Sequence, residues 1–159
     1  MVLILAYGNS LRRDDGAGFV LGDIVERMLS EAGFEVDRID SHQLEPEFAL
    51  DISGEKISAV LFIDARALPD AHRADDLHVQ VRRVTSAENA SPSMGHHLNA
   101  PTLLAYAGFL FKKEPPAWLI TVPGIDFDHG EGLSETAQQA IHEAPQILRE
   151  LIPDLTRKL

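Results

Sequence analysis

Three acids and a histidine pair carry the chemistry that this sequence can offer. Asp14 and Asp15 sit together in the loop after a first apolar run, Asp64 closes a later apolar run, and His96 and His97 precede an apolar helical pattern. Carboxylate oxygens with an imidazole nitrogen form a ligand set for a divalent cation, leaving coordination positions for a partner. The same groups can also move protons near neutral pH. Each residue has a structural alternative. Asp15 at a helix start suits a cap favoured by the helix dipole. Asp64 at the end of a buried run needs a partner, because an unpaired buried charge is expensive, and Arg66 is the nearby candidate for an ion pair. A lone histidine before a helix reads as structural, and at most one of His96 and His97 should face the acids. Convergence of the three on one rim is what favours a functional reading. His42, Asp126, Asp128 and His129 lie in other loops and are secondary candidates.

Several alternatives drop out. The first loop, LILAYGNSLRRDDGAG from Leu3 to Gly18, has the layout of a strand, a turn and a helix start. Phosphate cradles there require G-x-G-x-x-G or G-x-x-x-x-G-K-[ST] spacing, so that backbone donors approach the anion. This loop has neither spacing, and its two carboxylates would repel an anion, so it suits a cation or a proton. No H-E-x-x-H helix and no G-x-S-x-G elbow is present, which removes zinc-protease and serine-hydrolase readings. The absence of cysteine excludes disulfides, thiolate metal sites and cysteine nucleophiles. A net charge of −11 argues against nucleic acid or an anionic membrane as partner. Apolar runs are too short to span a bilayer and no signal peptide is apparent, so a cytoplasmic protein is expected.

The elements that must position these residues follow from periodicity. Val2 to Tyr7 is a buried strand, and Val20, Leu21, Ile24, Val25, Met28 and Leu29 recur at helical spacing up to a stop at Gly33. Phe34 to Asp40 alternates as a half-exposed strand, and a short helix follows within Ser41 to Gly54. Ser58 to Ile63 is continuously apolar, as in a central parallel strand covered on both faces, and ends on Asp64. Between it and the alternating Leu77, Val79, Val81 and Val84 there is no helical crossover, so this fourth strand is expected to be antiparallel and at the edge. Asn99 to Lys113 forms an apolar helix with Asn99 as N-cap, and Ala117 to Val122 is the fifth strand. A last helix runs from Ser134 to Leu151, with Pro145 expected to kink or break it. At 159 residues, without repeats or a linker, the chain forms one domain, a three-layer α/β/α sandwich around five strands. In such sheets ligand sites gather beyond the carboxyl ends of the strands, where the loops bearing Asp15, Asp64 and His96 should meet.

Together, GNSLRRDDGAG after an N-terminal strand, VLFIDA ending on an acid, and GHHLNAPTLLAYA before a helix resemble the hydrogenase maturation protease family. DSHQLEPE is similar to the branch serving cytoplasmic, cofactor-linked hydrogenases, and GIDFDHGEGLS resembles the closing loop of the family. The match runs in order over nearly the whole chain. The resemblance implies a mixed five-stranded sheet with an antiparallel fourth strand. It also implies an aspartyl-type endopeptidase that removes a C-terminal extension from the nickel–iron hydrogenase large-subunit precursor after nickel insertion.

By the same resemblance, the metal-contacting and catalytic residues fall on Asp15, Asp64 and His96, and the nickel is supplied by the substrate, with no tightly bound cofactor of the protein's own. Asp40, His42 and Gln43 stand where relatives carry a substrate-recognition D-G-G-T element. Asp15 is one methylene shorter than the Glu often present, which changes its reach to a metal. Two other readings use the same groups: a nickel chaperone or checkpoint protein that leaves the precursor uncut, and a small-molecule hydrolase active without any precursor.

Overall fold

The computed structural model describes residues 1–89 and 98–157. Five strands form one sheet in the order β2-β1-β3-β5-β4. They are β1 (Val2–Tyr7), β2 (Val36–Ser41), β3 (Ala59–Ala67), β4 (Gln80–Val84) and β5 (Ala117–Gly124). β1 pairs in parallel with β2 and β3, and β3 with β5, while β4 pairs antiparallel with β5 at the sheet edge. The expected antiparallel fourth strand is therefore present. Its approach from β3 uses only a loop with a 3-10 turn at Ala74–Leu77, too short for a helical crossover to a parallel neighbour.

Each sheet face has its own core. Ile4, Ala6, Leu61, Ile63, Ile120 and Val122 pack against α1 (Ala17–Glu31) and α4 (Glu135–Leu148). Leu3, Leu5, Val60, Phe62 and Ala117 pack against α2 (Phe48–Ile52) and α3 (Ala100–Phe111). Alternation along each strand assigns odd and even residues to opposite faces, so a continuously apolar strand is what a sheet covered twice requires. Glycine allows the closest approach between layers. A Cβ on Gly18 would lie 3.0 Å from the Ile63 carbonyl oxygen and 3.3 Å from Asp64 Cα, so its absence lets the start of α1 rest on β3 beside Asp64.

Three expectations shift. The second strand starts at Val36 rather than Phe34. β3 does not stop at Asp64 but continues to Ala67, because β5 also extends to Gly124 and keeps pairing with it. The final helix divides, but not at Pro145. α4 carries Pro145 internally and ends at Leu148, and α5 spans Leu151–Thr156. The ring of Pro153 would clash with the Arg149 carbonyl in an unbroken helix, which places the break one turn before that proline.

Truncating a side chain at the centre of the α2/α3-facing core tests this layering. Phe62 is 0% exposed. Phe62→Ala is expected to cost about 3–5 kcal/mol. The check is a lower denaturant midpoint with an unchanged slope.

Candidate active site

β1 is followed by Gly8, whose φ of +148° brings the chain back under its own loop. A Cβ at this position would lie 2.0 Å from the Asp15 carbonyl oxygen, so only glycine permits the turn. The two acids that follow, adjacent in sequence, then take opposite roles. Asp14 is fully buried and points toward the closing loop. Its carboxylate accepts the N–H groups of Ile125 (2.9 Å), Asp126 (3.1 Å) and Ser134 (2.8 Å) and the Ser134 hydroxyl (2.7 Å). Burial alone would raise its pKa, but these donors outweigh burial and hold the carboxyl below the ordinary carboxylate range. Asp14 is therefore a structural clasp. Asp15 turns the other way, accepts the Asn9 N–H at 2.9 Å and opens onto a cavity.

That cavity, about 560 Å³, lies beyond the carboxyl ends of β1 and β3. Asp15 and Asp64 line it together with Tyr7, His42, Gln43 and Asn99. Asp64 occurs where β3 leaves its cover, since Phe62 and Ile63 are both 0% exposed and the residues beyond them are not buried. Its Oδ1 accepts the Ala65 N–H at 2.7 Å, and the Tyr7 hydroxyl donates to the same carboxylate. Burial pushes Asp64 up to about 7; the Ala65 N–H opposes that shift, the charge of Asp15 adds to it, and the Tyr7 hydrogen bond opposes it. Tyr7 is itself raised, by burial first and then by the neighbouring Asp64. Near neutral pH, Asp64 can thus either accept or donate a proton.

The suggested Asp64–Arg66 ion pair is not formed. The Arg66 Nη2 instead donates to the backbone carbonyls of Asp76 and His78, each at 2.7 Å, which ties down the loop leading to β4. Of the three residues near the second strand, His42 and Gln43 reach the cavity. Asp40 does not, because both its oxygens are held by Arg38, from Nε at 2.7 Å and Nη2 at 3.0 Å. Asp126 faces Arg13 at 3.5 Å, and neither it nor Asp128 or His129 lines the cavity. His96 and His97 lie outside the described residues. Among the described residues no group of three His, Cys, Asp or Glu side chains that could hold a metal ion is present; Asp15 and Asp64 line the cavity as a pair.

Sequence reasoning missed Tyr7, Asn9 and Asn99. Tyr7 looked like one more apolar strand residue, yet it shares a face with Leu3 and Leu5, which alternation alone would have revealed. Asn99 was recognised as the α3 cap, and its Oδ1 does accept the Thr102 N–H at 3.0 Å while the residue also lines the cavity.

No protein-family model matches the chain, and no curated protein does. Solved structures do match, and they share the fold of hydrogenase maturation proteases. The nickel–iron hydrogenase maturation protease HybD from Thermococcus kodakarensis is 23% identical, with a TM-score of 0.60 over 94% of this chain and 97% of that one. The hydrogenase maturating endopeptidase HybD from E. coli is 18% identical, with a TM-score of 0.63 over 96% and 93%. The maturation protease HycI from Thermococcus kodakarensis KOD1 is 15% identical, with a TM-score of 0.65 over 96% and 92%. At these identities the likeness establishes the fold, including the mixed sheet.

Asp64 has a clear signature in stability. Its folded pKa is raised, so the folded state binds the proton more tightly between the ordinary value of 3.8 and about 7. The associated stability is present below pH 4 and is lost as pH rises toward 7. Asp64→Asn is therefore expected to raise stability over the parent at pH 8 by up to about 4 kcal/mol, the difference vanishing near pH 4. Asp14 has the opposite sign. Its stabilising contribution is present above the unfolded value and is lost as pH falls through its depressed folded pKa. Asp14→Ala, which leaves several buried donors without their acceptor, should lower stability at pH 7 by about 3 kcal/mol or more. Thermal melts of both variants across pH separate the two roles.

Proposed function

We propose that this protein is an endopeptidase that removes the C-terminal extension of a nickel–iron hydrogenase large-subunit precursor after nickel insertion. One observation carries the reading: Asp15 and Asp64 open onto a single cavity at the carboxyl ends of β1 and β3, in a fold shared with hydrogenase maturation proteases. The ordered motifs of the sequence point to the same activity, and His96 is the proposed third metal contact. The net charge of −11 favours attraction of a metal-loaded substrate over nucleic acid. Among the described residues no helix is long and apolar enough to cross a membrane, and we place the reaction in the cytoplasm.

In this reading nickel arrives as part of the substrate. Asp15 and Asp64 hold it from the protein side and so set the scissile bond against the cavity wall. Positioning of this kind supplies much of a catalytic barrier reduction by itself. The metal would polarise the scissile carbonyl and lower the pKa of an attacking water, while the two carboxylates, kept ionised by coordination, hold it in place. Tyr7 keeps the Asp64 carboxylate in register through its hydrogen bond. His42 and Gln43, on the wall next to β2, contact the substrate chain. Two carboxylates without a thiolate make a weak, open site, so selectivity comes from the loaded precursor completing the coordination shell.

Mass spectrometry of a nickel-loaded precursor incubated with the protein tests the assignment. The extension should be released, Asp64→Asn should slow release by at least about 100-fold while the fold persists, and metal-free precursor should remain intact. A precursor of unchanged mass would indicate a nickel chaperone or checkpoint role instead. Efficient cutting of metal-free precursor would remove the metal from the mechanism and leave the protease standing.

A further inference from the structure

A second cavity opens on the same sheet face as the Asp15/Asp64 cavity. It measures about 580 Å³ and is lined by Arg66, Gln80, Val81, Arg82, Leu119 and Thr121. The register explains its position. Asp64 is the Cα partner of Thr121 across β3 and β5, and Thr121 is the partner of Gln80 across β5 and β4. Leu119 pairs with Phe62 on one side and Arg82 on the other. With strands about 4.8 Å apart, the far wall stands roughly 10 Å from Asp64. The two cavities form successive stations along one face.

The charge of the second cavity is opposite to that of the chain. In a protein of net charge −11, its lining holds two guanidinium groups and no carboxylate. Arg82 pairs with Glu88 at 2.8 Å through Nη1, yet its side chain stays 53% exposed. Arg66 makes no ion pair among the described residues. Its Nη2 is fixed by two carbonyls, and its Nε is buried without a hydrogen-bond partner there. A buried guanidinium N–H without an acceptor costs free energy that a ligand oxygen would recover.

We infer that the cavity walled by Arg66 and Arg82 is a subsite for a carboxylate carried by the peptide extension that the enzyme releases. This inference rests on the proposed endopeptidase activity. The metal-bearing body of the precursor occupies the Asp15/Asp64 cavity, and the extension is the part free to cross β5 toward β4. At about 3.3 Å per extended residue, the carboxylate lies roughly three residues past the bond that is cut. Arg66 and Arg82 act in binding and placement, not in the chemical step. Arginine suits the task, since its planar fork pairs both oxygens of a carboxylate. Leu119 and Thr121 form the floor on which the intervening chain lies.

Steady-state processing kinetics test the subsite. Arg82→Gln should raise KM about tenfold with kcat within roughly twofold, the loss of one charge-assisted hydrogen-bonding group. Arg66→Gln should do the same; because it also releases the β3–β4 loop, Arg66→Lys and a melting curve accompany it. In precursors whose extension carries Asn and Gln in place of every Asp and Glu, parent and Arg82→Gln enzymes should have equal KM. If the terminal carboxylate is the group bound, lengthening the extension by Gly-Ser raises KM instead, and the amide replacements do not. A KM insensitive to both changes in the parent enzyme, or a fall in kcat alone in Arg82→Gln, overturns the subsite. An independent arm follows the Arg66 Nε–H resonance of labelled protein during titration with N-acetyl-glutamate at constant ionic strength, with N-acetyl-glutamine as control. A saturable shift with the acid alone supports the subsite even if no precursor is cut, in which case only the activity assignment fails. Equal responses to acid and amide overturn it.

Discussion

The Asp14 carboxylate is the interaction on which the rest of the site depends. One buried group accepts donors from Ile125, Asp126 and Ser134, and so joins the first loop of the chain to the last one. Around it the two loops are laced by backbone. The Arg13 N–H donates to the Gly130 carbonyl at 3.0 Å and the Gly130 N–H to the Leu11 carbonyl at 2.7 Å. Arg12 and Arg13 side chains add bonds to the carbonyls of Phe127 and Glu131. A loop between a strand and a helix is ordinarily among the softer parts of a fold. Here it is held on both sides, which is what fixes Asp15 at the cavity mouth. Charge–dipole bonding in a water-free setting makes the clasp strong, and removing its acceptor would leave several donors stranded at once.

The sheet face supplies the other half of the arrangement. As β3 passes beyond Ile63 its side chains lose their cover, and every second residue then meets an open surface instead of a helix. Asp64 is the first polar residue to emerge. It is desolvated enough to be raised to about 7, yet it is open to a cavity. Arg66 follows on the same face, and Thr121, Gln80 and Arg82 continue the polar surface across β5 and β4. Arg66 stands two residues from Asp64 on the same face, but the Asp76 and His78 carbonyls hold its guanidinium. It therefore does not neutralise Asp64, which preserves a carboxyl that can exchange its proton near pH 7.

Much of the architecture was legible because a doubly covered sheet writes itself into the sequence as continuous apolar runs. Val2 to Tyr7, the run ending at Asp64 and the run after Ala117 each have the length and β-branched content of a central strand. The lack of a crossover before Gln80 fixed the direction of β4, since a parallel neighbour has no way back without one. Element ends were less legible. β3 and β5 each extend because the other does, a mutual effect that no local window contains. The final helix breaks at a distance set by Pro153, not at the more obvious Pro145.

What the sequence determined by itself was the set of chemistries available: acids and imidazoles, no thiols, no phosphate loop, and an order of motifs resembling one protease family. Tertiary structure decided which residues are used. Asp14 and Asp15 are indistinguishable as neighbouring letters, but a fully buried position among N–H donors made one a clasp and left the other at the cavity. Asp64 and Arg66 have the spacing of an ion pair, yet backbone carbonyls from the β4 approach claim the arginine first. Asp40 looked as available as His42, until Arg38 bound both its oxygens. Sequence fixes the donors and acceptors that a chain owns. Which of them meet depends on loops far apart in the chain, because hydrogen bonds act over about 3 Å and only the folded packing decides who is that near.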